Sequence, residues 1–495
     1  MNTYLGQKGY TISKSEITVE QQKKIRDDLT IKPYVPGAPG STNLSTFPAY
    51  RESSNKMYVP HYYGAEHFGK PKEIRISEGL DINIEFAGSL RAEQVPVVET
   101  YVAHVNKTGY GGGLLELPCA AGKTVLALNI ISQLKKKTFI IVHKEFLMNQ
   151  WIERITQFLP NARIGKIQGK IIDIENKDIV IGMLQSLSMK EYDAAIFESF
   201  GLTIIDEVHH ISSEVFSNSL FKLVTKYMLG LSATMNRKDG TTKVFKMFLG
   251  EVVYKGKRDG DRNVTVRAIE YYVNDDEFNE VKTDFRGNTA FSTMISKLCE
   301  YNRRSEFILK VLEDMFIENP CQQIMILAHN KNLLKYLHDA VDNRKFATVG
   351  YYVGGMKEAA LKLTETKQLV IATYSMAAEA LDIKTLTTLI MATPKTDIEQ
   401  SVGRILREKH SQPVVVDIID SHDPFQKQWY KRKAFYKKEN YKIIHTKSAN
   451  YDPDTTKWKT VFEPNKKCVD DLDLEKDSLL TGKCLLSSFF KKSTF

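Results

Sequence analysis

Cysteine is scarce and follows no ligand pattern. Cys119, Cys299, Cys321, Cys468 and Cys484 are an odd number scattered over 495 positions, with no CxxC and no Cys/His spacing. Neither a disulfide framework nor structural zinc is expected. His209 and His210 are adjacent, so their side chains diverge, and no third ligand is spaced nearby. They suit a coupling or structural role better than a metal site. No uncharged apolar run reaches about 18 residues, which argues against a membrane span. The N-terminus, MNTYLGQKGY, has neither a basic nor an apolar leader region, so an unsecreted, intracellular protein is expected. Short-period repeats and low-complexity tracts are also missing. Hydrophobic residues at 42% and charged residues at 26% are ordinary globular values and leave no case for disorder.

What is present is length, a modest basic excess and a repeated strand pattern. The length suits about three units. Lysine and arginine number 69 against 60 acidic residues, a formal charge of +9, which favours a phosphate backbone if it is clustered on one face. Residues 1–84 are rich in turns and aromatics, as in YVPGAPGSTN and YVPHYYGAEHFG, and read as an N-terminal accessory module. From residue 114, β-branched runs recur ahead of amphipathic stretches: LLELP, TFIIVH, DIVIGM, LTIIDE and YMLGLSAT. After a mixed segment the pattern restarts with QIMILA, QLVIAT, TTLIMAT and PVVVDII. Buried parallel strands with intervening helices account for both sets. The fold class is therefore α/β, two similar domains in tandem over 85–255 and 256–445, with the strand signal fading into a polar tail over 446–495.

Three segments carry chemistry. LPCAAGKT, from Leu117 to Thr124, lies between a strand-like and a helix-like stretch, the context of a phosphate-binding loop. Its small residues, Ala120, Ala121 and Gly122 following Cys119, let backbone N–H groups wrap phosphates at a helix N-terminus. Lys123 supplies a charge to the β/γ-phosphates of ATP and Thr124 a hydroxyl to Mg²⁺. Leu117 stands where the strict loop pattern has glycine. LTIIDEVHH ends a strand in two carboxylates, with Asp206 fit to hold Mg²⁺ and Glu207 to orient and deprotonate the attacking water. QSVGRILRE sets Arg404 and Arg407 three apart, on one face of an expected helix, as candidates to meet the γ-phosphate. A simple kinase or GTPase has no place for that last motif or for the second sheet.

Together LRAEQ, LPCAAGKT, DEVHH, LSAT, IATYSMAAEALDI and QSVGRILR stand in the order of superfamily 2 helicase motifs. Over about residues 85–445 the chain resembles that superfamily, in its XPB-like branch, and within it the transcript-release DNA helicases of poxviruses and other large DNA viruses. The resemblance implies two RecA-like domains. It casts Gln94, with Arg91, as the reader of adenine, and Ser232 and Thr234 as the link from hydrolysis to domain movement. His143 and Lys144, in VHKEFLMNQW, and Gln185 match strand-contacting motifs. Thr373, Glu379 and Asp382 match the motif that touches both nucleic acid and nucleotide, and Gln400 joins the two arginines. Met235 and Ala380 replace the family's usual proline and glycine, which affects turn geometry rather than any catalytic side chain. Leu117 is no anomaly in this branch, whose loops commonly begin LPC.

The resemblance implies an ATP-driven motor, monomeric and 3′ to 5′, on a nucleic acid that is DNA in the preferred reading and RNA in the alternative. Transcript release implies contact with the transcription machinery and a place in a viral factory or virion. Recombination or repair remodelling is the rival role, and a scaffold with a dead ATPase site is disfavoured by the intact motif residues. Contacts to phosphates would make affinity salt-dependent and largely sequence-independent. Lys427–Lys442 interleaves seven basic residues with aromatics. It reads as a stacking strip or, preferably, as an amphipathic helix whose aromatics pack on the second sheet. KCLLSSFF, with Leu486, Phe489 and Phe490, is a degenerate match to a sliding-clamp-binding peptide, and self-docking is its simpler explanation.

Overall fold

Each apolar run singled out above is a strand. In a computed structural model of the chain, the described residues are 2–33, 46–118, 121–210, 213–235, 241–256, 263–379, 383–406, 410 and 412–464. They fall into two units that divide between residues 259 and 260.

The N-terminal stretch contributes β1 (Thr3–Gly6), β2 (Gly9–Ser13), the short pair β3 (Thr30–Ile31) and β4 (Phe47–Pro48), then β5 (Arg51–Glu52), β6 (Lys56–Val59) and β7 (Glu73–Ile74). Five of these form a sheet in the order β5-β6-β2-β1-β7. Alternation along β1, β2 and β6 turns Leu5, Tyr10, Ile12, Met57 and Val59 inward, and all five are buried. They share one apolar core with Phe139, Phe200 and Phe248 of the following α/β layer. Polar contacts join the same two parts: the Tyr62 hydroxyl donates to the Gly112 carbonyl at 2.9 Å, and the Arg51 guanidinium lies 5.4 Å from the Phe221 ring centroid. The accessory sheet is therefore welded to the first α/β domain by burial.

That domain is built on β8 (Gly111–Glu116), β9 (Thr138–Val142), β10 (Ile164–Gln168), β11 (Ile171–Asp173), β12 (Ile179–Met183), β13 (Leu202–Ile205), β14 (Tyr227–Ser232) and β15 (Val252–Lys255). Their order is β11-β10-β12-β9-β13-β14-β8-β15, and every pairing is parallel except that of β10 with β11. Parallel strands deliver their C-terminal ends to one edge, where helix N-termini also gather.

The second unit repeats the design with β16 (Thr265–Tyr271), β17 (Gln323–Ala328), β18 (Val349–Tyr352), β19 (Leu369–Thr373), β20 (Leu386–Met391), β21 (Val414–Asp420), β22 (Lys442–Lys447) and β23 (Lys459–Phe462), in the order β18-β19-β17-β20-β21-β16-β22-β23. Both sheets are RecA-like. Two fully buried ion pairs fasten a helix to each face of β21. Arg304 clamps Asp420 through bonds of 2.6 and 2.8 Å, and Arg432 clamps Asp417 at 2.7 and 2.8 Å with the Tyr436 hydroxyl donating to the same carboxylate at 3.0 Å.

The reading that strand signal ends at residue 446 needs correction. β23 pairs antiparallel with β22 and extends the second sheet to Phe462. None of its four residues is buried because it is an edge strand, and buried Trp458 beside it packs edge-on against Tyr451. The basic-aromatic segment is the helix Asp423–Lys438, with Phe425, Trp429, Arg432 and Tyr436 buried. The amphipathic reading holds, and the stacking strip does not form as a continuous surface; Tyr430 is exposed. The clamp-like peptide lies outside the described residues. No described helix is long and apolar enough to cross a membrane.

Candidate active site

β8 leads through Leu117 into the phosphate-loop segment, and the helix Lys123–Leu134 follows. Leu117 continues the sheet ladder, donating its N–H to the Ser232 carbonyl at 2.8 Å, and its side chain is buried. This explains why an apolar residue serves there in place of glycine. Gly122 caps the helix with φ 80° and ψ 39°, a left-handed conformation that favours glycine. A Cβ at Gly122 would also lie 2.4 Å from the Gln94 side-chain nitrogen. Cys119 and Ala120 lie outside the described residues.

Gln94 and Arg91 converge on this loop. Each donates to the Ala121 carbonyl at 2.9 Å, and Gln94 Oε1 accepts from the Arg91 backbone N–H at 3.0 Å. Gln94 is buried, while Arg91 is exposed and pairs with Glu93 at 3.2 Å. The geometry makes this pair a brace for the loop.

Across the sheet edge, β13 delivers Asp206 and Glu207. Glu207 has φ 49°, a left-handed conformation unusual for a side chain with a Cβ. That turn aims the second carboxylate back over the edge: Lys123 Nζ donates to Glu207 Oε1 at 2.5 Å, and His209 Nδ1 lies 3.4 Å from Glu207 Oε2. The same His209 nitrogen is 2.6 Å from Ser232 Oγ, and the Ser232 hydroxyl donates to the Thr234 carbonyl at 2.5 Å. With the serine proton so committed, Nδ1 is the donor to Ser232 Oγ. A polar chain thus runs from Lys123 through Glu207 and His209 to Ser232 and Thr234, hydrogen-bonded at every step but the 3.4 Å approach of His209 to Glu207. Met235 in the next position is buried in the apolar core.

Asp206 is nearly enclosed, 7% exposed, and its Oδ2 accepts from the Trp151 indole N–H at 2.9 Å. Burial, and then the neighbouring Glu207 charge, push its carboxyl above the usual range, against the pull of Lys123 and the indole. An anion penalised in this way is stabilised by a bound cation. Two adjacent carboxylates with the Thr124 hydroxyl on the opposing helix turn are hard oxygen donors, which fits Mg²⁺ rather than a soft metal. Trp151 escaped the reading of single motifs. Its spacing from Leu147 and Ile155, one helical face, was the available signal, because a buried indole N–H needs an acceptor.

His143 and Lys144 follow β9, and Gln185 follows β12, the neighbouring strand. Gln185 Nε2 donates to the His143 carbonyl at 2.9 Å, so the segments after the two strands meet. Burial holds the His143 and Lys144 pKa values below their ordinary ones, with Lys144 adding to the effect on His143.

In the second unit Thr373 ends β19, with its hydroxyl 3.3 Å from that of Ser375. Gln400 lies in the short helix Glu399–Gly403, and Arg404 begins a 3-10 turn that runs to Leu406. Arg407, Ala380 and Asp382 lie outside the described residues, as does the side chain of Glu379.

Known proteins are similar to this chain along most of its length. A family model described as "Type III restriction enzyme, res subunit" matches residues 87–237. A protein of Acanthamoeba polyphaga mimivirus, named as a candidate ATP-dependent RNA helicase, is 35% identical over 447 residues, 88% of this chain and 85% of that one. The chain belongs to the superfamily 2 helicases of large DNA viruses. An African swine fever virus relative of this helicase, also named as a candidate ATP-dependent RNA helicase, is 28% identical over 388 residues, covering 73% and 75% of the two chains. A protein of Invertebrate iridescent virus 6, named as a candidate helicase, is 24% identical over 457 residues, covering 87% and 99%. As a helicase of this family the chain uses ATP and binds nucleic acid.

Proposed function

We propose that this helicase is an ATP-driven translocase on DNA, moving 3′ to 5′ and acting in viral transcription at transcript release. The observation that carries the ATPase reading is the polar chain from Lys123 to Thr234, which gathers the phosphate-loop, carboxylate and coupling motifs on one sheet edge. The DNA track and the transcription role rest on the resemblance of LPCAAGKT, DEVHH, LGLSATMNRKDG and ATYSMAAEALDI to transcript-release helicases.

Lys123 and Glu207 neutralise one another at 2.5 Å. Triphosphate arriving at the loop competes for the lysine, so Glu207 is released to accept a proton from water only when substrate is in place. Thr124 and Asp206 would hold Mg²⁺, which would supply positive charge beside the phosphate oxygens. Gln94 and Arg91 hold the loop in shape while Gly122 admits the phosphates. By the resemblance, Arg404 and Arg407 would stabilise charge on the transferring phosphoryl group, with Gln400 and Asp382 on the nucleotide. His209, Ser232 and Thr234 pass the state of Glu207 to the segment after β14, and His143, Lys144, Gln185 and Thr373 hold the track.

RNA is the second reading of the track, favoured by the names of the mimivirus and African swine fever virus relatives. ATP hydrolysis by the wild type and Glu207→Gln, each with no nucleic acid, single-stranded DNA, duplex DNA or RNA, separates the two. DNA-stimulated turnover that vanishes in the variant is the expected result. Stimulation by RNA alone would replace the DNA reading, and no turnover under any condition would overturn the motor.

A further inference from the structure

Asp206 and Trp151 come from different elements, the end of β13 and the second turn of the helix Glu145–Phe158, yet they meet inside the domain. A carboxylate on a single Cβ can swing about two torsions. One bound at an oxygen by a rigid donor cannot. Trp151 is 1% exposed, so the position of its ring is set by packing with its neighbours in the core, Leu147 and Ile155 among them. The indole has one donor and no acceptor, which commits it to an anion or a carbonyl.

We propose that Trp151 is a positioning residue for the metal carboxylate: its N–H holds Oδ2 of Asp206 and thereby presents the other carboxylate oxygen to Mg²⁺. The inference rests on the reading of Asp206 as the Mg²⁺ ligand. A purely structural role, in which the bond only satisfies a buried indole, would show in folding stability and nowhere else. A positioning role shows in metal affinity, because partners that orient a ligand typically change it by about 10- to 100-fold when removed.

The test uses the full chain and the fluorescent nucleotide mant-ADP, excited directly, titrated with and without Mg²⁺. In the wild type Mg²⁺ tightens binding. Trp151→Phe keeps an aromatic ring and loses the donor, and is expected to raise the Mg²⁺ midpoint about tenfold while leaving metal-free affinity near wild type; the smaller ring lowers the melting temperature whichever role holds. An unchanged midpoint overturns the proposal. Should the phenylalanine variant fail to fold, 3-benzothienyl-alanine placed at position 151 keeps the shape of the indole with sulfur in place of N–H, and the same two outcomes apply. Asp206→Asn separates the layers of the argument. If the wild type shows no tightening, or Asp206→Asn keeps it, the metal-ligand reading falls and takes the proposal with it. If both behave as read and Trp151→Phe matches wild type, only the positioning role falls.

Discussion

Gly122 shows how much chemistry one hydrogen in place of a methyl can carry. Its left-handed backbone disfavours any Cβ, and the space such an atom would enter holds the Gln94 amide. Gly122→Ala is expected to weaken nucleotide binding at least about tenfold, equivalent to roughly 1.4 kcal/mol, with little change in the fold of the domain. Equilibrium titration with mant-ADP and the far-ultraviolet circular dichroism spectrum read both parts, and wild-type affinity would contradict the account. His209 makes a different case. It touches Glu207 and Ser232 at once, so His209→Ala is expected to lower nucleic-acid-stimulated kcat while KM for ATP holds, as fits a group acting after substrate binds. A rise in KM at constant kcat would assign it to ground-state binding instead. Lys123, Asp206, Glu207 and Ser232 were legible as candidates from motif order alone. The bond from Trp151 was not, because sequence separation carries no information about which buried donor meets which acceptor.

Among the elements, β21 and the two helices clamped to it form the polar spine of the second unit. Arg432 and Asp417 are both 1% exposed or less. Removing the arginine strands a buried carboxylate, and Arg432→Ala is expected to destabilise the unit by about 3–5 kcal/mol. A urea denaturation curve followed by circular dichroism measures this, and a loss below roughly 1 kcal/mol would mean that Asp417 finds another partner or a proton. β23 offers a second check. Trp458 is its buried anchor, so Trp458→Ala is expected to cost about 3 kcal/mol in the same assay. The adjoining strands β12, β9, β13, β14 and β8 of the first sheet and β19, β17, β20 and β21 of the second were readable because parallel strands covered on both faces appear as unbroken apolar runs, whereas β10, β11, β15, β16, β18 and β22, shorter or more polar, were not. β23 was not, since an edge strand with an antiparallel partner needs few apolar residues. The strands of the accessory module were hidden for a related reason: β3, β4, β5 and β7 are two residues each, too short for alternation to show.

At the scale of the molecule, each unit contains a histidine that resists protonation. Burial holds both His61 in the first and His329 in the second down to about 4, with Lys395 adding to the effect on His329. An unfolded imidazole takes a proton near 6.5. Between those values the unfolded chain binds more protons, so stability is full above about pH 6.5 and falls as pH drops toward 4, by on the order of 2 kcal/mol for each histidine. Melting temperatures across that range check this, and His61→Asn and His329→Asn should flatten the profile. Nucleic-acid affinity belongs to the same scale. It is expected to fall steeply and linearly on a log–log plot against salt, because phosphate contacts displace counterions, and a flat plot would point to base stacking as the main contact.

The order of motifs along the chain already contained the α/β class, the tandem sheets and the candidate ATP-site side chains, because these depend on local periodicity and on short segments whose chemistry is complete within a few residues. The tertiary structure supplied what depends on distant parts of the chain coming together. It joined the accessory sheet to the first domain through a common core, carried the second sheet to Phe462, turned Gln94 and Arg91 onto the Ala121 carbonyl, and set Trp151 against Asp206. Burial and hydrogen-bond partnership are properties of the packed chain, and no single segment specifies them.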